Sequence, residues 1–169
     1  MKLYLLFLII VQSISYCQGD FLVNFYSRDF KVTKQEIKSL FLNDPVVRVT
    51  KDSANLFFMR GVKWRDIKTN KVDICFVEDT IANFFMGIKD TTNIKKTFES
   101  ILSFMKMQFG PFQITNTNDN YYIENRMWLE DNTNDPGFVL QLTIIKEKPD
   151  YLYIAYTNMR RFDKLYEKK

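Results

Sequence analysis

Histidine is absent from the 169 residues of this chain. Because histidine is the commonest general base and metal ligand, its absence excludes Ser-His-Asp and Cys-His nucleophile arrangements and zinc sites that use histidine. The five glycines include no pair spaced as GxG, so the chain has no glycine-rich phosphate loop. The sequence therefore predicts a protein that is not an enzyme and has no cofactor or metal site.

Cysteine is also scarce, with one of the two residues, Cys17, near the start of the chain. Lys2 precedes a short apolar run over 3–11, and a polar segment with small residues follows, which is the pattern of a secretory signal peptide. The run is shorter than the roughly 20 apolar residues that span a bilayer. We therefore predict a signal peptide over 1–17 and a mature chain without a transmembrane helix.

Small residues at Ser15 and Cys17 favour cleavage before Gln18 and export to the periplasm or the medium. The alternative is cleavage before Cys17 and lipidation of that residue, which would make this a lipid-anchored envelope protein. The bulky Tyr16 disfavours this alternative. The bias toward asparagine, lysine, isoleucine and phenylalanine is typical of an AT-rich genome, and the absence of any Asn-x-Ser/Thr sequon among the asparagines is consistent with a bacterial envelope protein.

The remaining segment, 18–169, has the length of a single domain that can bury a core without disulfides. Its one cysteine, Cys75, lies in the apolar run "VDICFV" and is expected to be buried. Of the chain's net charge of +4, +3 lies in a basic tail over 160–169, which has five basic and two acidic residues. Since nucleic-acid binders usually spread basic residues over a face, no nucleic-acid partner is predicted.

Two amphipathic segments predict helices. In the segment 93–111 the apolar residues recur at helical spacing, and Gly110 and Pro111 end it. Met105 and Met107 of this segment are expected to fill the core. In the segment 33–45 Thr33 and Glu36 form a capping-box pattern.

Each predicted helix is followed by strand-like segments with short polar links. The fold class is therefore α+β, with an antiparallel sheet of about six strands and two helices on one face. The half-repeats, over about 32–90 and 91–160, suggest a tandem α-β-β-β arrangement. A chance succession of two common α+β arrangements explains the same pattern. The segment 21–31 could add an edge strand.

Aromatic and charged residues in the strands mark a candidate interaction face on the side of the sheet away from the helices. Tyrosine, tryptophan and arginine are the residue types that protein interfaces favour. The candidate residues are Tyr122, Arg126, Trp128, Tyr151 and Tyr153. The alternative is that other parts of the chain cover this side of the sheet.

Acidic clusters leave a second function open, a hydrolase that uses two carboxylates. The clusters comprise Asp66, Asp73, Glu78, Asp79, Glu124, Glu130, Asp131 and Asp135, most of them in predicted turns. The segment 130–135 resembles a calcium loop only loosely, because it lacks the glycine and the closing glutamate. The favoured function is therefore an exported binding module that presents an aromatic-rich sheet face to a protein or cell-envelope partner.

Overall fold

A computed structural model describes residues 21–117, 120–129 and 137–164 of the chain. The helices are α1 (Phe21–Ser27), α2 (Lys34–Phe41), α3 (Ile94–Phe109) and α4 (Met159–Asp163). The strands are β1 (Arg48–Ser53), β2 (Leu56–Arg60), β3 (Lys63–Trp64), β4 (Ile67–Lys68), β5 (Lys71–Val77), β6 (Thr80–Lys89), β7 (Ile114–Thr117), β8 (Tyr122–Leu129), β9 (Phe138–Ile145) and β10 (Tyr151–Asn158). The predicted signal peptide and the segment 130–135 lie outside the described residues.

The two predicted helices are confirmed, and local sequence explains their ends. Thr33 and Glu36 form both hydrogen bonds of the capping box at the start of α2. Asn93 caps α3 by accepting a hydrogen bond from the amide of Lys96 at 3.2 Å. Helix α3 ends at Gly110, whose φ of +79° favours glycine.

The chain forms an α+β structure around one antiparallel sheet of eight strands, in the order β1-β2-β5-β6-β10-β9-β8-β7. The expectation of about six strands was too low, because β1 and β7, the two edge strands, were not predicted. Strands β3 and β4 form a separate two-stranded hairpin. One half of the sheet consists of β1, β2, β5 and β6 and the other of β7, β8, β9 and β10, and within each half the strands lie side by side in chain order. The last strands of the two halves, β6 and β10, pair at the centre.

One side of the sheet, here called the helix face, packs against α1, α2 and α3. A row of paired residues crosses it and consists of Phe57, Ile74, Phe84, Tyr156, Leu140 and Trp128. All six of these side chains are buried. Phe84 contacts Phe21 and Phe25 of α1, with ring centroids 6.0 and 6.2 Å apart. The core therefore lies between the helices and this face.

The segment 21–31 does not form an edge strand. Its residues 21–27 form α1, and Phe21, Leu22 and Phe25 are fully or almost fully buried. These three positions lie on one side of a helix, whereas in a strand Phe21 and Leu22 would point to opposite sides. Phe21 contacts Phe41 of α2 and Phe84 of β6, and these core contacts favour the helix.

Met107 is also not in the core. Its side chain is 73% exposed, whereas Met105 is fully buried. Two residues along a helix correspond to a rotation of about 200°, so Met107 lies opposite the buried stripe that contains Met105.

Candidate functional site: the open face of the sheet

The other side of the sheet, here called the open face, lies opposite α1, α2 and α3, and the short helix α4 contacts β6, β9 and β10. Its members follow from the strand register, because directly paired residues point to the same side. Those that carry a charge, an aromatic ring or a hydrogen-bonding group include Arg48, Lys51, Ser53, Phe58, Arg60, Lys71, Asp73, Cys75, Asn83, Phe85, Lys89, Tyr151, Tyr153, Thr157, Gln141, Thr143, Tyr122, Asn125 and Asn116.

The structure does not bring the five predicted interaction residues onto one face. Tyr122, Tyr151 and Tyr153 lie on the open face, where Tyr122 pairs with Ile145 and Tyr153 pairs with Thr143. Arg126 and Trp128 point to the helix face.

A β-bulge separates the two groups. The register between β8 and β9 shifts between Tyr122 and Glu124, so one extra residue interrupts the alternation of sides. Strict alternation places Tyr122 with Arg126 and Trp128, whereas the bulge moves Tyr122 to the opposite side.

Trp128 is a core residue. Its side chain is 2% exposed, and its indole Nε1 donates a hydrogen bond to the carbonyl of Gly110 at 2.8 Å. The ring also meets Phe112 edge to face, with centroids 6.0 Å apart. These contacts tie the end of α3 to β8, so Trp128 has a structural role.

Arg126 is likewise held inside the protein. Its guanidinium lies over Phe98 of α3 and over Phe112, at 5.7 and 5.4 Å from the ring centroids. It also pairs with Glu124 at 3.1 Å. Glu124, one of the residues of the predicted acidic clusters, therefore lies beside a cation.

Lysine ammonium groups lie over several aromatic rings of the open face. Lys71 is 4.6 Å from the centroid of Phe85, and Lys51 is 5.4 Å from that of Phe58. Tyr151 has Lys89 and Lys148 at 5.6 and 5.9 Å. Such cation–π contacts are favourable by about 0.5–1 kcal/mol at exposed sites. They hold the cations close to the aromatic surface.

The rings also contact one another at the centre of the sheet. Tyr153 lies 5.1 Å from Phe85, and it stacks on Tyr151 with centroids 6.0 Å apart and an interplanar angle of 14°. Tyr153 is only 7% exposed as a result. The aromatic residues thus form a connected surface across β6 and β10.

A hollow of about 330 Å³ opens beside these rings. Phe85, Tyr153, Tyr122, Ala155 and Ile145 supply its aromatic and apolar walls. Its hydrogen-bonding groups and cations come from Gln141, Thr143, Lys71 and Lys148. Among the described residues that line it there is no carboxylate, so the hollow combines apolar walls with positive charge.

Burial shifts the pKa of two titratable groups of the open face. It raises the pKa of the Tyr153 hydroxyl, and the neighbouring Tyr151 and Asp150 add to this effect. Burial, followed by the charge of Asp73, raises the pKa of the Cys75 thiol. Cys75 is half-buried on the open face and does not lie in the core. A raised pKa leaves less of the thiolate that nucleophilic chemistry requires.

The predicted acidic clusters do not assemble in the described part of the chain. Asp73 pairs with Lys71 at 2.8 Å, and Glu78 pairs with Lys164 at 3.4 Å. Asp79 accepts a hydrogen bond from the amide of Lys34 at 3.3 Å. No group of three or more acidic or cysteine side chains suited to a metal ion occurs within residues 21–117, 120–129 and 137–164.

The sequence interpretation missed the open-face residues of the first half of the chain. They lie on β1, β2, β5 and β6 and are Lys51, Phe58, Arg60, Lys71 and Phe85. The alternation of Phe58 with Arg60 and of Lys71 with Asp73 was a signal for them, because both pairs are two residues apart and share a side.

The described helices include none that is both long and apolar enough to cross a membrane. No protein-family model, curated protein or solved structure matches this chain. The functional assignment therefore depends on the geometry of the open face.

Proposed function

We propose that this protein is an exported, non-enzymatic binding module whose open face contacts a protein or cell-envelope partner. The domain over 18–169 would consist of two copies of one pattern, a helix followed by antiparallel strands. The binding surface would extend across the strands of both halves of the sheet.

The observation that carries this proposal is the composition of the open face, which lies on the side of the sheet opposite α1, α2 and α3. Phe58, Phe85 and Tyr151 remain partly exposed on a surface where lysine side chains lie over the rings. Aromatic side chains on a rigid support are typical of the residues that contribute most to binding energy. Solvent-facing sheet sides usually carry polar residues instead.

Site-directed photo-cross-linking in living cells of the source organism tests the proposal. A photoreactive phenylalanine analogue replaces Phe58, Phe85 or Tyr151 in separate variants, and Met107 or Tyr121 in matched controls. The controls are 73% and 75% exposed, and Met107 lies on the outer side of α3.

The expected result is one cross-linked species of the same mass from the three open-face positions and none from the controls. Equal labelling at all positions, or no adduct from the open face, would contradict a specific binding surface. The same cell fractions report whether the protein is exported.

A further inference from the structure

The charge on the open face is concentrated at its β1–β2 end. Arg48 lies directly opposite Arg60, a placement of like charges that is unfavourable when nothing compensates it. Within residues 21–117, 120–129 and 137–164, neither Arg48 nor Arg60 forms an ion pair with a carboxylate at 4 Å or less. The end of the sheet therefore holds two neighbouring cations that are available to an anionic partner.

A row perpendicular to the strands connects these arginines to the hollow. Met59 pairs with Val72, so Arg60 lies next to Lys71 one step further along the register. Lys71 pairs with Gly87, and Gly87 pairs with Tyr153. The side chains of Lys71 and Tyr153 both lie over Gly87, and both line the hollow.

The other end of this row is neutral and polar. Tyr153 is followed by Thr143 and then by Asn125. Asn125 is fully buried, and its Oδ1 accepts a hydrogen bond from Gln141 Nε2 at 2.8 Å, while its Nδ2 has no partner among the described residues. The row thus changes from cationic to neutral and polar across the sheet.

This change in character argues against a uniform polyanion. Nucleic acids and sulfated glycans carry charge along their whole length and need cations throughout the site. Stacking of bases requires free ring faces, whereas lysines lie over Phe58, Phe85 and Tyr151. The carboxylate of Asp73 in the middle of the face would also repel a continuous row of negative groups.

We propose that the open face binds an acidic segment of a partner polypeptide, with carboxylates at Arg48 and Arg60 and an apolar or aromatic side chain in the hollow. This inference rests on the proposed binding function and adds the chemistry of the partner. Arginine pairs with carboxylates through two parallel hydrogen bonds, which gives the segment a defined position. A polypeptide with acidic and apolar residues presents carboxylates and apolar side chains along one strand, which matches the arginines and the apolar hollow of this face.

Fluorescence anisotropy with synthetic probes tests this chemistry on the purified full-length mature protein. The probe is a labelled peptide of alternating glutamate and tyrosine. Peptides of lysine with tyrosine and of glutamate with serine, single-stranded DNA, heparin and phosphatidylglycerol vesicles are compared with it.

The diagnostic variant is Arg48→Glu with Arg60→Glu, and both positions are exposed. The matched control, Lys95→Glu with Lys96→Glu, makes the same change in net charge on exposed positions of α3. Circular dichroism checks that each variant is folded.

The glutamate–tyrosine peptide is expected to bind more tightly than every other probe. Its affinity should fall by about tenfold or more in the open-face variant and stay within about twofold in the control. Tighter binding of DNA, heparin or vesicles would overturn the proposal, as would equal losses in both variants or no binding of the peptide.

If the peptide fails while photo-cross-linking from the open face succeeds, the partner chemistry is wrong and the binding function stands. If both experiments fail, the proposed function fails with it.

Discussion

Replacing Trp128 by alanine distinguishes a core residue from an interaction residue. The indole is 2% exposed, contacts Phe112 and donates its hydrogen bond to Gly110. Removing a buried tryptophan side chain costs about 3–5 kcal/mol, of which the lost hydrogen bond accounts for roughly 1 kcal/mol. For a chain of this length that corresponds to a decrease in Tm of about 6–20 °C.

Urea unfolding followed by far-ultraviolet circular dichroism measures the effect. Tryptophan fluorescence is less suitable, because the variant loses one of the two tryptophans and its signal would come from Trp64 alone. Trp128→Phe keeps an aromatic ring but loses the hydrogen bond, so its free energy of unfolding should fall between those of the wild type and Trp128→Ala. Met107→Ala is the matched control and should change stability by no more than about 0.5 kcal/mol. If Trp128→Ala is as stable as the control, Trp128 is not a core residue and the description of the helix face is wrong.

Three further predictions address other parts of the fold. Ile101→Ala should lower the free energy of unfolding by about 2–5 kcal/mol in the same urea assay, since Ile101 is 2% exposed; an unchanged midpoint would contradict the packing of α3. Gly61→Ala should cost more than about 1–2 kcal/mol, because φ at Gly61 is +79° and the new Cβ would clash with the carbonyl oxygen of Val46; a neutral change measured by calorimetry would refute this geometry. Hydrogen bonds from the Thr97 hydroxyl and two backbone amides lower the pKa of Asp90, so its stabilising contribution is present above the ordinary pKa of aspartate and is lost as the pH falls through the lowered value. Unfolding of the wild type and Asp90→Asn should therefore differ at neutral pH and converge in acid, and a difference that does not depend on pH would argue against this role.

The sequence alone determined the features that depend on neighbouring residues. The extent of α3 follows from a stripe of apolar residues at helical spacing and a glycine at its end. The start of α2 follows from the capping box of Thr33 and Glu36. These signals lie within a few residues of one another, so no distant contact is needed to interpret them.

The edge strands β1 and β7 could not be predicted in the same way. All six residues of β1 are exposed, and three of the four residues of β7 are exposed. Without a buried side, neither segment has the alternation of apolar and polar residues that marks a strand. Their pairing with β2 and β8 is what makes them strands.

Only the tertiary structure decided which residues make up the candidate site. A single bulge beside Tyr122 reverses the side of that residue relative to Arg126 and Trp128, and nothing in the local sequence marks its position. The helices pack against one side of the sheet, and the residues on that side form the core. Trp128 is therefore buried there, while Tyr151 and Tyr153 lie on the open face. The row from Arg48 to Asn125 joins residues far apart in the chain, because the antiparallel register brings together side chains that sequence spacing does not relate.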